Sequence, residues 1–202
     1  MEFIRGLYNL KPEHRGCVAT IGNFDGVHVG HQRVLRQVKL KAILQGLPAA
    51  VILFEPQPLE YFAKDQAPRR ITRLREKLRL LEQYGIDQVL CLRFDTKLLS
   101  LSAHDFIQQL LVSGLAVSHF VVGDDFRFGQ GRTGNFALLQ AQDIRCLVAE
   151  QLQNNRLAQA DRINIPSGKG EGHARSSVQI WSRSLIEHET RQPTRLHQKL
   201  LS

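Results

Sequence analysis

Thr20-Ile21-Gly22-Asn23-Phe24-Asp25-Gly26-Val27-His28-Val29-Gly30-His31 decides the fold, because it follows a short apolar run and opens an amphipathic one. Val18 to Ile21 is rich in branched residues and lacks polar alternation, which suits a strand buried on both faces of a parallel sheet. Val34, Val38 and Ala42 then recur at helical spacing. Between strand and helix, Gly22, Gly26 and Gly30 permit tight turns and close approach of a ligand, and the free amides at the helix start attract anions. His28 and His31 lie three apart on the first turn, so both imidazoles can point the same way, toward a bound phosphate. A donating or protonated ring there stabilises charge on a transferring phosphoryl group. Taken alone, such a pair also reads as two surface histidines beside a glycine turn. A metal trio of Asp25, His28 and His31 is a further reading, but no other Cys or His cluster closes such a site, and no metal ligand is assigned.

The same pattern repeats outward. Val51 to Phe54, Val89 to Leu92 and Phe120 to Val122 are further buried-strand runs. A leucine helix over 72–84 precedes the third run, and Phe106, Leu110 and Leu111 precede the fourth. Ser102 with Asp105 reads as an N-cap with its acidic partner, and Thr72 with Glu76 as a looser helix start. Alternating strands and helices with right-handed crossovers imply a doubly wound, Rossmann-like α/β fold, with its ligand crevice at the carboxyl ends of the strands.

With 202 residues the chain has room for one full domain and part of a second. The longest apolar stretch, Ala49 to Phe54, is far too short to span a bilayer, and the start Met1 to Arg5 lacks a signal-peptide core. A soluble, cytoplasmic protein is expected, with no membrane partner. Cys17, Cys91 and Cys146 are too scattered for a zinc or dithiol site and read as reduced thiols. The net charge of +8 favours anionic partners without choosing among them. The basic run Arg69, Arg70, Arg73, Arg75, Lys77 and Arg79 is interleaved with Leu74, Leu78 and Leu81. Its charged face reads as solvated, with phosphate contact by one or two members as the alternative.

Composition changes after about Gln140. All ten phenylalanines and all three tyrosines lie at or before Phe136, and 153–202 is rich in Gln, Arg, Ser and His without a sustained period. The expected division is a domain over 1–140 and an irregular, disordered tail over 141–202. Within that tail, Ile144, Leu147, Val148 and Leu152 predict one short helix over 144–152.

The decade Gly22-Asn23-Phe24-Asp25-Gly26-Val27-His28-Val29-Gly30-His31 resembles the His-x-Gly-His signature of the nucleotidyltransferases. More narrowly, it resembles the bacterial FAD synthetases, the bifunctional riboflavin kinase/FMN adenylyltransferases. Phe54-Glu55-Pro56-Gln57-Pro58, Ile71-Thr72-Arg73-Leu74-Arg75-Glu76-Lys77 and Val122-Gly123-Asp124-Asp125-Phe126-Arg127-Phe128-Gly129 with Gly131 follow in the family's order. The resemblance implies FAD biosynthesis from the substrates ATP and FMN, with Mg²⁺ bound to ATP: the FMN phosphate attacks the α-phosphorus and pyrophosphate leaves. It also implies that His28 and His31 are the catalytic, phosphate-binding pair, while Gly22, Asn23, Phe24, Asp25, Gly26 and Gly30 shape the ATP pocket. Asp125 is implied as a flavin or nucleotide contact, and Pro56, Gln57 and Pro58 as a wall of the flavin pocket. For Asp125 and the Pro-Gln-Pro run, a plain turn is the competing reading.

The resemblance further implies a strand after Gln140 and then an Ile-Ser-Ser-Thr-x-x-(Ile/Val)-Arg segment, neither of which is recognisable here. Ser176-Ser177 lacks the following Thr and Arg, and Pro193-Thr194 does not continue as the Pro-Thr-Ala-Asn motif of the kinase barrel. A frameshifted or truncated reading of a longer gene is therefore expected, with no riboflavin kinase activity in this chain. The competing functions are a related adenylyltransferase or class I aminoacyl-tRNA synthetase fragment, which share a paired-histidine signature, or a catalytically weak fragment that binds flavin or nucleic acid. Nucleic acid is not the expected partner.

Overall fold

The computed structural model describes residues 1–149 apart from Asp124 and Asp143. The disordered tail expected over 153–202, and most of the 141–202 unit, therefore lie outside the described residues.

Six parallel strands form one sheet: β1 (Glu2–Arg5), β2 (Cys17–Ile21), β3 (Ala49–Glu55), β4 (Gln88–Arg93), β5 (Val117–Val122) and β6 (Arg145–Val148). Their order in space is β1-β4-β3-β2-β5-β6. From β2 the chain winds one way through β3 and β4, then returns to lay β5 on the other side of β2. The carboxyl end of β2 thus stands at the point where the winding reverses, which is where such sheets open a crevice.

The helices are α1 (Val29–Gln45), α2 (Pro58–Ala63), α3 (Leu74–Gln83), α4 (Thr96–Leu99), α5 (Ala103–Phe106) and α6 (Phe136–Ala141), with α5 continuing in π geometry over Ile107–Val112. Alternate residues of each strand serve opposite faces. Val18, Val51, Leu53, Val89 and Val121 share a buried cluster with Leu35, Val38 and Ala42 of α1 and Leu81 of α3. Ala19, Ile52, Leu90 and Phe120 share the other with Phe106, Ile107, Leu110 and Leu139. Both faces are covered, as the unbroken apolar runs require. Ser102 caps α5 as its sequence implies, its Oγ accepting from the Asp105 N–H at 3.0 Å.

Three sequence expectations are corrected. The helix over 144–152 is overturned: Arg145–Val148 is strand β6, paired along β5 from His119↔Arg145 to Val122↔Val148. Short apolar runs fit either period, and here an open sheet edge decided. A strand after Gln140 therefore exists, and the sheet runs past that residue. Thr72 does not begin α3, whose first helical residue is Leu74 and whose Arg73 N–H donates to Glu76 Oε2 at 2.9 Å. The Thr72 hydroxyl instead faces Asp25.

Candidate active site

The loop from β2 to α1 carries strain that the surrounding structure must hold. Phe24 (φ 47°) and Val27 (φ 38°) both adopt left-handed backbone, and Val27 is β-branched. Such conformations cost about 1–3 kcal/mol each and persist only where neighbours enforce them. Both side chains are buried, and Gln32 Nε2 donates to the Val27 carbonyl at 2.9 Å. Gly26, at φ 67°, carries the same turn without a Cβ penalty.

His28 is the N-cap of α1, an unusual residue there. Its Nδ1 accepts from the N–H groups of Gly30 at 3.2 Å and His31 at 3.4 Å. An Nδ1 that accepts cannot carry the proton of a neutral ring, so the proton is on Nε2. That Nε2 is buried and has no hydrogen-bond partner. The His31 ring stacks on His28 at 3.8 Å between centroids and lies 4.9 Å from the Phe24 ring. Burial lowers the His28 pKa. Burial, aided by the neighbouring His28 and Lys77 and opposed by Asp25, pushes His31 down to about 3. Both shifts disfavour the charged rings, so what the pair offers a ligand is an N–H donor rather than a fixed positive charge.

Gly30 matters by closeness. A Cβ there would stand 3.1 Å from His28 Cε1 and 3.3 Å from Nδ1, displacing the ring that caps the helix. Gly30→Ala is expected to cost about 1 kcal/mol of stability through the loosened cap. It should slow any reaction at this site by about 10- to 100-fold through misplacement of the donor. Urea unfolding and turnover measured on the same preparation check both numbers.

A cavity of about 330 Å³ opens at the carboxyl ends of β2 and β5. It is lined by Gly22, Asn23, Phe24, Asp25, His28 and His31 from the first loop, by Gln57 from the segment after β3, and by Asp125 after β5. These eight residues were singled out from sequence in three separate motifs. Gly26, Gly30, Pro56 and Pro58 are not on its wall. Asn23 Oδ1 and Gln57 Nε2 are buried there without a partner, one acceptor and one donor. Both Asp25 carboxylate oxygens, by contrast, are already engaged by Ile71 and Thr72. Asp25 and His28 are therefore turned to other bonds than those of a metal trio, and the described residues hold no group of three or more His, Cys, Asp or Glu able to bind an ion.

Three arginines also line the wall, Arg69, Arg127 and Arg132, and only for the run of Arg69 does the sequence offer a ligand contact, as the alternative to a solvated face. Arg69 belongs to the basic run read as a solvated face, and Arg127 lies inside a quoted motif without an assigned role. Arg70, next in chain, bridges Glu55 and Glu60, donating to both carboxylates. The hydrogen bond to Glu60, then that to Glu55, raises its pKa further, and the bond from Arg70 holds Glu60 below the usual carboxylate range. Lys77 of α3 is only 2% exposed, and burial lowers its pKa.

The chain matches the family model described as FAD synthetase over residues 10–164. It is 56% identical over 141 residues to the bifunctional riboflavin kinase/FMN adenylyltransferase of Escherichia coli K12, covering 69% of this chain and 45% of that protein. To the protein of the same description from Haemophilus influenzae it is 45% identical over 171 residues, covering 79% and 56%. The chain thus spans about half the length of these relatives. Among solved structures, the macrolide-efflux protein of Streptococcus pneumoniae superposes with a TM-score of 0.63 at 24% identity, covering 73% of this chain and 50% of that one. That likeness concerns the fold. No helix among the described residues is long and apolar enough to cross a membrane.

Proposed function

Because this chain belongs to the FAD synthetase family, we propose that it is an FMN adenylyltransferase joining AMP from ATP to FMN. The FMN phosphate oxygen attacks the α-phosphorus, the bond between the α-phosphorus and the bridging oxygen breaks, and pyrophosphate leaves. No covalent enzyme intermediate is needed, so the protein's contribution is positioning and charge stabilisation.

One observation carries this reading: the Nε2–H of His28 is a buried donor with no partner, its tautomer set by the two amides at Nδ1, on the wall of a cavity at a helix start. A phosphate oxygen is the acceptor that fits it, and His31 stacked beside it acts on the same group. Gly22, Asn23 and Phe24 shape the nucleotide side, with Gly26 and Gly30 supporting the loop. Gln57 and Asp125 face the flavin, and Pro56 and Pro58 set the course of the segment that carries Gln57. Mg²⁺ is proposed as an ion carried on the triphosphate. It supplies charge neutralisation on the phosphates. ATP and FMN are the small-molecule partners, and the cytoplasm, where both occur, is the proposed location. The catalytic unit is proposed to run from residue 1 through β6, with a divergent tail after that strand.

The test is direct. Purified chain with FMN, ATP and Mg²⁺ should release FAD and pyrophosphate, resolved by chromatography. Absence of FAD together with tight FMN or RNA binding would favour a binding fragment instead. FMN appearing from riboflavin and ATP would show a second activity that is not assigned to this site.

A further inference from the structure

Asp25 looks like part of the nucleotide-binding loop, yet its carboxylate faces away from a ligand's needs. Oδ2 accepts from the Ile71 N–H at 2.9 Å. Oδ1 accepts from the Thr72 N–H at 2.9 Å and from the Thr72 hydroxyl at 2.8 Å. Thr72 Oγ1 in turn accepts from the Gly26 N–H at 3.1 Å. Four hydrogen bonds therefore join two segments separated by more than forty residues in sequence. Burial pushes the Asp25 pKa up, but the Ile71 and Thr72 bonds and the Lys77 charge outweigh it and keep the carboxylate ionised. The segment just before Ile71 is tied down separately through Arg70 to Glu55 and Glu60.

Ile71, between these two anchors, is 75% exposed although it lines the cavity and packs over Gly26. A Cβ built on Gly26 would meet its Cγ2 at 3.1 Å. A large branched side chain exposed to water at a cavity mouth forgoes hydrophobic free energy that an occupant would supply. The hydrogen bond from its N–H to Asp25 fixes the backbone that carries it.

We infer that the Asp25–Thr72 latch presents Ile71 as an apolar platform for a planar heteroaromatic ring of the substrate, and that Asp25 is a positioning residue rather than a nucleotide contact. This rests on the reading of the cavity as a nucleotide and flavin site. Two rings share the chemistry, the adenine of ATP and the isoalloxazine of FMN, and separate titrations tell them apart.

Affinities for ATP with Mg²⁺ and for FMN are measured by calorimetry on the full chain and on Ile71→Ala, Thr72→Val, Thr72→Ser, Asp25→Asn and the double variant Ile71→Ala/Thr72→Val. Thr72→Val keeps the side-chain shape and removes both hydroxyl bonds, while Thr72→Ser restores them. Ile71→Ala and Thr72→Val should weaken the same ligand by about tenfold, with Thr72→Ser within about twofold of the parent. Because the latch acts through Ile71, the double variant should bind no more weakly than Ile71→Ala alone. Losses that multiply, or Thr72→Val with unchanged affinity for both ligands, overturn the inference. So does Asp25→Asn weakening ATP far beyond Ile71→Ala, the most that a latch acting through Ile71 can cost, which would make Asp25 a direct contact of the phosphates or their magnesium. Melting curves identify any variant that fails to fold, and Ile71→Ala, which breaks no hydrogen bond, keeps the platform testable in that event. A parent chain that binds ATP but forms no FAD would refute the adenylyltransferase reading and leave the latch standing. A parent that binds neither ligand would refute both.

Discussion

Replacing His28 and His31 together by alanine is expected to reduce FAD formation by at least about 10³-fold, the scale of losing preorganised donors from a charge-developing site. The two rings stack at 3.8 Å and share one wall of the cavity, so as the proposed phosphate-binding pair they act on one group and their losses are not expected to add. The fold should survive, because α1 is held by Leu35, Val38 and Ala42, all at most 1% exposed, rather than by its cap. Loss of the cap costs about 0.5–2 kcal/mol. His28→Asn separates the two duties of that ring. Asparagine is a strong N-cap and restores the helix start, but its short amide does not place a donor where Nε2 stands. It should melt like the parent and still lose most of its activity. Undiminished FAD production by the double alanine variant, read by chromatography, would remove the histidine pair from the mechanism.

The parts of this molecule that sequence revealed are those whose causes are local. The four central strands are apolar because both faces are covered, and their helices repeat at the period of one buried stripe. The edge strands β1 and β6 were missed for the converse reason. Glu2–Arg5 has one fully buried residue, Ile4, between charged ends, and Arg145–Val148 mimics a helical spacing. His28 and His31 were legible because three residues and a helix start suffice to bring them together. What the sequence concealed was set by partners distant in the chain. The Thr72 hydroxyl has a capping residue's chemistry, and only the fold, which brings Asp25 beside it, shows that it is used elsewhere. The same applies to Arg69 and Arg70, adjacent in sequence, of which one lines the cavity while the other is consumed by Glu55 and Glu60.

Acid should destabilise this fold through His31. An imidazole with a pKa of about 3 in the folded chain and the ordinary 6.5 when unfolded binds more protons in the unfolded state throughout the interval between them. Stability from this residue is therefore complete above about pH 6.5 and is lost progressively as the pH falls toward 3. The displacement corresponds to on the order of 5 kcal/mol, a large part of the stability of a domain this size. His28, also lowered by burial, acts in the same direction. Lys77 deepens the effect by opposing a second positive charge nearby, while Asp25, still ionised over most of the interval, opposes it. His31→Gln keeps a polar side chain of similar length but does not titrate, so its unfolding free energy should depend far less on pH below 6.5. Urea unfolding of both proteins in steps from pH 7 to pH 4 should show the parent losing stability faster, with most of the difference arising below pH 6. Parallel pH profiles would place the acid lability outside the stacked pair, and the neutral-donor description of His31 would then be wrong.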